Sequence, residues 1–231
     1  MTSVLILGFL IGLRHAIEAD HVAAVATLSN RSSSLRGALR LGAVWGIGHT
    51  LTLLIVGTAF LYLDMLVPER VVQALEIMVG IMLILLGIDV VRRMLKDRIH
   101  FHVHPHAGGV VHFHAHSHKG ELEHIVSQHE HNHSTEFPLR ALIVGLVHGL
   151  AGSAALVLLT LQTIQNPLIG VLYIVLFGFG SIIGMAAISL VIVIPFYYSG
   201  KGLTWVHNGL KCITGTATIV IGALLIYQNS V

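Results

Sequence analysis

The chain has 231 residues, of which 55% are hydrophobic and only 10% charged, and its mean hydropathy is +0.83. A soluble domain would carry roughly 25% charged residues, so this composition excludes an ordinary soluble protein and predicts an integral membrane protein. The formal net charge of +2 says little by itself, and we expect no nucleic-acid partner. The single cysteine, Cys212, excludes an internal disulfide and a two-cysteine redox relay within the chain.

Six apolar runs are long enough to cross a hydrocarbon core of about 30 Å, which takes about 20 helical residues. In chain order they lie near 3–28, 38–63, 71–94, 138–161, 168–196 and 203–227. Most Lys and Arg residues flank the connections after the first, third and fifth runs, and the positive-inside rule places those connections in the cytoplasm. We therefore expect an all-α integral membrane protein, multi-pass in the cytoplasmic membrane, with six transmembrane helices and both termini outside.

Glycine-containing motifs recur in the two halves of the chain at nearly constant offsets of 132 to 135 residues. Matched by their glycines, the pairs are Gly12 with Gly145, Gly46 with Gly178, Gly80 with Gly215, and Gly87 with Gly222. Three spans per half is an odd number, so a true repeat would be inverted, as in many secondary transporters. The alternative is chance recurrence of glycine in Gly-rich spans. We expect a first three-helix repeat at 1–95, a cytoplasmic His-rich loop at 96–137 and a second three-helix repeat at 138–231.

The first apolar run contains a group of polar residues near its middle. They are Arg14, His15, Glu18, Asp20 and His21. A charged side chain at the centre of a membrane helix costs roughly 2.5–3.5 kcal/mol on insertion scales, so such residues require a partner or a function. Arg14 and Glu18 are four residues apart and are predicted to form a structural ion pair.

The other three residues of this group combine two imidazoles with one carboxylate. At about 100° per residue, Asp20 lies on a different face of a straight helix from His15. Either the helix unwinds near 16–19, so that all three residues reach one ion, or Asp20 orients His21 without binding the ion itself. Both alternatives give the group a function and both stay open at this point.

Two further histidines, His49 and His148, lie in later apolar runs and follow small residues that allow close helix packing. A lone histidine in a span is about as often a packing residue as a ligand. Four histidines on three spans, with one aspartate, favour a metal site instead. Its predicted ligands are His15, Asp20, His21, His49 and His148. Imidazole and carboxylate suit Ni, Co, Zn, Cu or Fe, and the lack of an intramembrane Cys pair or Met cluster disfavours Cu(I).

Three segments resemble motifs of the nickel/cobalt transporter (NiCoT) family and its urease-accessory-type, UreH-like branch. His15-Ala-Ile-Glu-Ala-Asp20-His21 is similar to the family's H-x4-D-H signature, GIGHT at 46–50 to its G-H-[ST] motif, and His148-Gly-Leu-Ala-Gly-Ser to a second-half segment of the UreH-like branch. The resemblance implies that Ni²⁺ or Co²⁺ is the transported substrate and that His15, Asp20 and His21 are central to its recognition. No cofactor is expected to be permanently bound. The chain differs from the larger family members, which have eight spans and a D-T-A-T-E-like run.

Twelve histidines lie between His100 and His133, and eleven of them stand in H-x-H patterns. The eleven are His100, His102, His104, His106, His112, His114, His116, His118, His129, His131 and His133. In an extended chain residues i and i+2 share one side, so H-x-H pairs can chelate a metal through neutral imidazoles. Gly and Pro interrupt the segment, and we expect it to be disordered without metal. We interpret it as an accessory cytoplasmic metal buffer, with a linker of no specific role as the alternative.

Together these patterns predict a secondary transporter for a divalent transition metal, and no Walker A motif is present. A potential of 100 mV, inside negative, would supply roughly 4.6 kcal/mol to an entering divalent cation, or about three decades of gradient, which mildly favours uptake. The alternatives are an efflux permease, which needs a coupling ion, and a proton or anion carrier that uses the intramembrane histidines. An intramembrane enzyme is disfavoured, because H-E-x-x-H is absent and Ser153 lies about 140° around the helix from His148. The expected partners are the metal ion, the lipid bilayer and a cytoplasmic metallochaperone.

Overall fold

The computed structural model gives an architecture of packed helices. The residues it describes are 2–29, 34–63, 68–96, 100–105, 111–116, 138–150, 166–199 and 204–230. Within these ranges there are seven helices and one two-stranded sheet. In chain order the helices are α1 (Thr2–His15), α2 (Ala19–Ser29), α3 (Leu35–Leu63), α4 (Glu69–Lys96), α5 (Leu139–Gly149), α6 (Pro167–Ser199) and α7 (Thr204–Ser230).

Four of the described helices are long and apolar enough to cross a membrane. They are α3, α4, α6 and α7, with candidate spans at Leu35–Leu63, Glu69–Leu95, Pro167–Ser199 and Trp205–Ser230. Helices α1 and α5 are apolar but shorter. The chain is therefore a multi-pass membrane protein, as the composition predicts. The predicted run at 138–161 continues beyond α5, but its residues 151–161 lie outside the described residues.

The first predicted run is divided into two helices, because α1 ends at His15 and α2 begins only at Ala19. Between them, the amides of Ile17 and Glu18 donate to carbonyl oxygens three residues back, at 2.9 and 3.0 Å. Bonds of this kind close the last turn of a helix instead of continuing it. Of the two alternatives that the sequence left open, the structure therefore has the one in which the helix is interrupted between His15 and His21.

Helix α1 packs along α6, and α5 packs along α3, with glycine at the closest approaches. A Cβ atom added at Gly12 would strike the backbone carbonyl of Phe177, and one added at Gly145 would strike the backbone carbonyl of Trp45. Small residues of this kind let membrane helices bring their backbones into contact. The two contacts are equivalent by sequence offset, since Gly12 and Gly145 are 133 positions apart and Trp45 and Phe177 are 132 positions apart.

Helices α3 and α6 run antiparallel where they touch, and so do α4 and α7. Along the first pair, Gly42 lies against Ser189 and Gly46 lies against Ile182, so residue numbers rise on one helix as they fall on the other. The contacts of the second pair are Gly80 with Gly222 and Gly87 with Gly215. In each pair the two helices occupy matching places in the two halves of the sequence.

Two strands, β1 (His100–Pro105) and β2 (Val111–His116), form an antiparallel pair in the loop after α4. The expectation of a loop without regular structure is wrong for these residues, and the sheet departs from an all-α fold. The reason is a period of two in the sequence, in which His alternates with Phe, Val, Ala or Pro; Val and Phe favour strands. The other predicted accessory histidines, His106, His118, His129, His131 and His133, lie outside the described residues.

Candidate metal centre

The interruption between α1 and α2 brings two histidines together. His15 is the last residue of α1 and His21 is the third residue of α2. Their ring centroids are 4.1 Å apart, and both side chains are buried. On a continuous helix, residues six positions apart would be separated by more than one turn, about 9 Å along the axis. The turn at 16–18 is therefore what places both imidazoles at one point.

Two more histidines reach the same point from other helices. His49 comes from α3 and His148 from the last turn of α5. The ring centroid of His21 lies 4.1 Å from that of His148 and 5.2 Å from that of His49, and the His15 and His49 centroids are 5.4 Å apart. All four histidines are at most 1% exposed. We call these four residues, on α1, α2, α3 and α5, the histidine cluster.

Asp20 connects two members of the histidine cluster. Its Oδ1 lies 3.0 Å from Nδ1 of His21, and its Oδ2 lies 3.0 Å from Nε2 of His148. The Oδ1 atom also accepts the backbone amide of His21 at 2.9 Å. A carboxylate that holds one ring nitrogen of a histidine fixes the orientation of the ring and directs its other nitrogen toward a metal ion.

Two overlapping sets of side chains have the spacing of metal ligands. In the first set, His15, His21 and His49 each offer a ring nitrogen, and these atoms all lie within 4.8 Å of one another. The second set has the same spacing and consists of Asp20, His21 and His148. His21 belongs to both sets.

Several ring nitrogens of the cluster lack a hydrogen-bond partner within the described part of the chain. They include Nε2 of His21, Nε2 of His15 and Nδ1 of His148, all fully buried. A buried polar atom without a partner is costly, and most such atoms in folded proteins are satisfied. Convergent, unsatisfied imidazole nitrogens are what a site for a transition-metal cation requires.

Glu18 contacts His15 in this structure. Its Oε2 lies 2.8 Å from Nδ1 of His15, and its side chain is 44% exposed. The ion pair predicted between Arg14 and Glu18 does not occur among the ion pairs of the described residues. The side chain of Arg14 is exposed. The i, i+4 geometry holds only on a continuous helix, and α1 ends before Glu18.

Two aromatic residues outside the predicted site pack on the cluster. The ring of Phe177 lies 5.4 Å from that of His15, and the ring of Trp45 lies 5.6 Å from that of His148. Each aromatic residue precedes a repeated glycine, Gly46 or Gly178, by one position. The constant offset between the two halves of the sequence is the signal that could select these two residues, because an aromatic residue in an apolar span has no other distinguishing feature.

Not all predicted site residues meet at the cluster. The described histidines of the accessory set lie on β1 and β2, a separate element. Ser153, which the enzyme alternative requires, lies outside the described residues.

Comparison with known proteins identifies three relatives. The chain is 36% identical to the urease accessory protein UreH of Bacillus strain TB-90 over 232 residues, which cover 100% of this chain and 93% of that protein. It is 25% identical over 227 residues to a Methanocaldococcus jannaschii protein whose name assigns it provisionally to nickel/cobalt efflux, covering 94% and 89% of the two chains. The Arabidopsis thaliana chloroplast protein FOR GROWTH AND FERTILITY 1 is 26% identical over 188 residues, 78% of this chain and 47% of that protein. No protein-family model and no solved structure matches the chain.

The similarity to UreH extends along the whole chain and nearly the whole relative. It therefore includes both the H-x4-D-H segment from His15 to His21 and the second-half segment that begins at His148. These are the segments on which the sequence resembles the nickel/cobalt transporters. The chain belongs to the nickel/cobalt transporter family, in its UreH-like branch.

Proposed function

We propose that this protein is a secondary transporter that moves Ni²⁺ or Co²⁺ across the membrane through a centre built from the histidine cluster and Asp20. The observation that carries the proposal is the convergence of four buried imidazoles from four helices. The family relationship supports it, since the name of one relative refers to nickel/cobalt efflux. No relative that we find has the name of an enzyme.

The donor set fits a borderline divalent cation. Imidazole nitrogens with one carboxylate suit Ni²⁺ and Co²⁺, whereas Mg²⁺ and Ca²⁺ prefer oxygen ligands. A single negative charge at Asp20 offsets part of the charge of a dehydrated divalent ion. The neutral imidazoles bind the ion without adding the cost of further buried charges.

We infer that the two ligand sets are successive positions of one ion. His21 belongs to both, so an ion can pass from the set with His15 and His49 to the set with Asp20 and His148 while His21 remains bound. Asp20 would orient His21 in the first position and bind the ion in the second. The two roles that the sequence left open for Asp20 then belong to two steps of transport.

Alternating access would follow from two inverted three-helix halves, 1–95 and 138–231, in six spans. Three observations support this: the antiparallel pairing of α3 with α6 and of α4 with α7, the equivalent contacts of Gly12 and Gly145, and the equivalent packing of Phe177 and Trp45 on His15 and His148. Rocking of one half against the other would open the centre to each side in turn.

Uptake is the direction that we favour, since an inside-negative potential of 100 mV supplies roughly 4.6 kcal/mol to an entering divalent ion. Efflux is the second candidate, because the name of the archaeal relative refers to it. The His-rich loop would collect arriving metal in the first case and gather metal for export in the second. A cytoplasmic metallochaperone would exchange metal with this loop.

Flux in proteoliposomes tests the proposal. Purified protein would be reconstituted, and Ni²⁺, Co²⁺ and Zn²⁺ entry measured while the membrane potential and the pH gradient are imposed separately. We expect Ni²⁺ or Co²⁺ flux that rises with an inside-negative potential and exceeds that of empty liposomes. Proton flux without metal flux would contradict the proposal and favour the proton carrier. Metal flux that occurs only when a proton gradient drives protons in the opposite direction to the metal would assign the protein to efflux.

A further inference from the structure

The hairpin of β1 and β2 has a register that aligns its histidines. The three cross-strand pairs that contain histidine on both strands are His100 with His116, His102 with His114, and His104 with His112. The positions between them pair Phe101 with Ala115 and Val103 with Phe113. Histidine is therefore opposite histidine at every second position of the hairpin.

All six histidine positions share one face of the hairpin. Successive residues of a strand alternate between the two faces, so His100, His102 and His104 lie on the same face of β1. Directly opposed residues of an antiparallel pair belong to the same face of the sheet, which adds His112, His114 and His116. We call these six positions the histidine face; the opposite face carries Phe, Val, Ala and Pro.

The spacing of these positions suits a shared metal ion. Opposed Cα atoms of an antiparallel pair are about 4.5–5.5 Å apart, and positions two residues apart on one strand are about 6.8 Å apart. Two neighbouring histidine pairs therefore define a rectangular set of four positions. An H-x-H segment on a single strand offers only two.

We propose that the histidine face is a second metal site, which binds a divalent transition-metal ion such as Ni²⁺ between two adjacent cross-strand pairs. The central pair, His102 with His114, contributes to either of the two positions that such an ion can take. Four imidazoles from two strands suit Ni²⁺, Co²⁺, Zn²⁺ or Cu²⁺. The bound ion would also fix the strand register, because a two-stranded hairpin alone is marginally stable in water.

This site deepens the proposed role of the loop and does not depend on the histidine cluster. The hairpin begins four residues after the end of α4, which places the site close to the membrane-spanning part of the chain. What distinguishes it from chelation by any H-x-H segment is the requirement for intact pairs across the hairpin.

Two matched double variants separate these possibilities in the full-length protein. Both are made in a background in which the other six loop histidines, His106, His118, His124, His129, His131 and His133, are replaced by Asn. The same-pair variant carries His100→Asn and His116→Asn and keeps two adjacent intact pairs. The split-pair variant carries His104→Asn and His116→Asn and keeps only the central pair. Each variant loses one histidine per strand, and each strand keeps one H-x-H segment.

Ni²⁺ binding is measured by titration calorimetry, and the signal of a variant without any loop histidine is subtracted. We expect the same-pair variant to bind within about threefold of the background protein and the split-pair variant to bind about tenfold more weakly or worse. Equal affinities of the two variants would overturn the site and leave independent H-x-H chelation. Flux measured on the same preparations reports on the proposed transport separately, so a failure of transport with unequal affinities would leave this site standing.

Discussion

The protein presents histidine in two arrangements that differ in how they are assembled. The histidine cluster draws His15, His21, His49 and His148 from positions up to 133 residues apart, and the turn at 16–18 together with helix packing brings them together. The histidine face draws six histidines from 100–116 and needs only the register of one hairpin. The two proposed sites therefore use the same residue type in different surroundings.

The first arrangement is buried among packed helices, so a metal ion must lose its water to enter it. Rigid, convergent ligands favour selection of one kind of ion by geometry. The second arrangement lies outside the membrane-spanning helices, on a two-stranded hairpin of a kind that is only marginally stable by itself in water. We therefore assign selection and passage to the cluster, and collection or release of metal to the hairpin.

The largest effect is expected at His21, the residue that both ligand sets share. His21→Ala should reduce Ni²⁺ flux in proteoliposomes to the level of empty liposomes, because it removes a ligand from each set. The matched control is His207→Ala on α7, whose ring lies 3.3 Å from Ser199 Oγ and has no place in either set. Flux near the wild-type level in His21→Ala protein would remove the cluster from the transport path.

The next effect tests whether helix packing organises the cluster. Gly12→Ala should lower both thermal stability and Ni²⁺ affinity of the cluster without changing any ligand, since its Cβ would strike the backbone carbonyl of Phe177. Overpacking of this kind costs about 1–3 kcal/mol. Gly209→Ala is the control, because a Cβ there meets nothing within 4 Å. Thermal unfolding and Ni²⁺ titration check both variants, and equal behaviour would contradict the close approach of α1 and α6.

A smaller effect is expected at Asp20, which orients ligands of the cluster. Asp20→Asn should weaken Ni²⁺ binding by about 10–100-fold, the usual effect of removing a carboxylate that orients a metal-binding histidine. Glu18→Gln should have a much smaller effect, because Glu18 is 44% exposed and contacts only one member, His15. Titration of protein without loop histidines measures both. A larger loss in Glu18→Gln than in Asp20→Asn protein would reverse the assigned roles.

The smallest effect on transport is expected from the loop. Replacement of all twelve loop histidines by Asn should lower the number of Ni²⁺ ions bound per protein but change the initial rate of flux by only about twofold at saturating metal. The measurement compares bound Ni²⁺ with initial flux in the same preparation. Abolished flux would show that the loop belongs to the transport path itself.

The sequence predicted the membrane class and the residues that meet at the cluster, and it offered the interruption of the first run as one of two alternatives. The sequence could not decide between them, because on a straight helix Asp20 lies on a different face from His15 but can still orient His21 without binding the ion. The Arg14–Glu18 pair was derived as if that helix were continuous, and the interruption leaves Glu18 beside His15 instead. That the cluster binds metal stays a prediction.

Other features depended on signals that the sequence carries weakly. The hairpin is hard to predict because its histidine-rich composition resembles low complexity, although His alternates with strand-forming Phe and Val over both segments. Trp45 and Phe177 were overlooked because their role depends on which helices pack together. Only the 132-residue offset between them, combined with the structure, reveals their equivalent positions against His148 and His15.

The central claim is that the histidine cluster binds the metal ion inside the membrane-spanning part of the protein. The most direct measurement is X-ray absorption at the Ni edge on Ni²⁺-loaded protein in which every loop histidine is replaced by Asn. We predict that nitrogen and oxygen atoms coordinate the nickel, with the multiple-scattering signal of two or three imidazoles. This imidazole signal should be lost in the same protein with His21→Ala. A shell of oxygen alone, or a spectrum that His21→Ala leaves unchanged, would contradict the account.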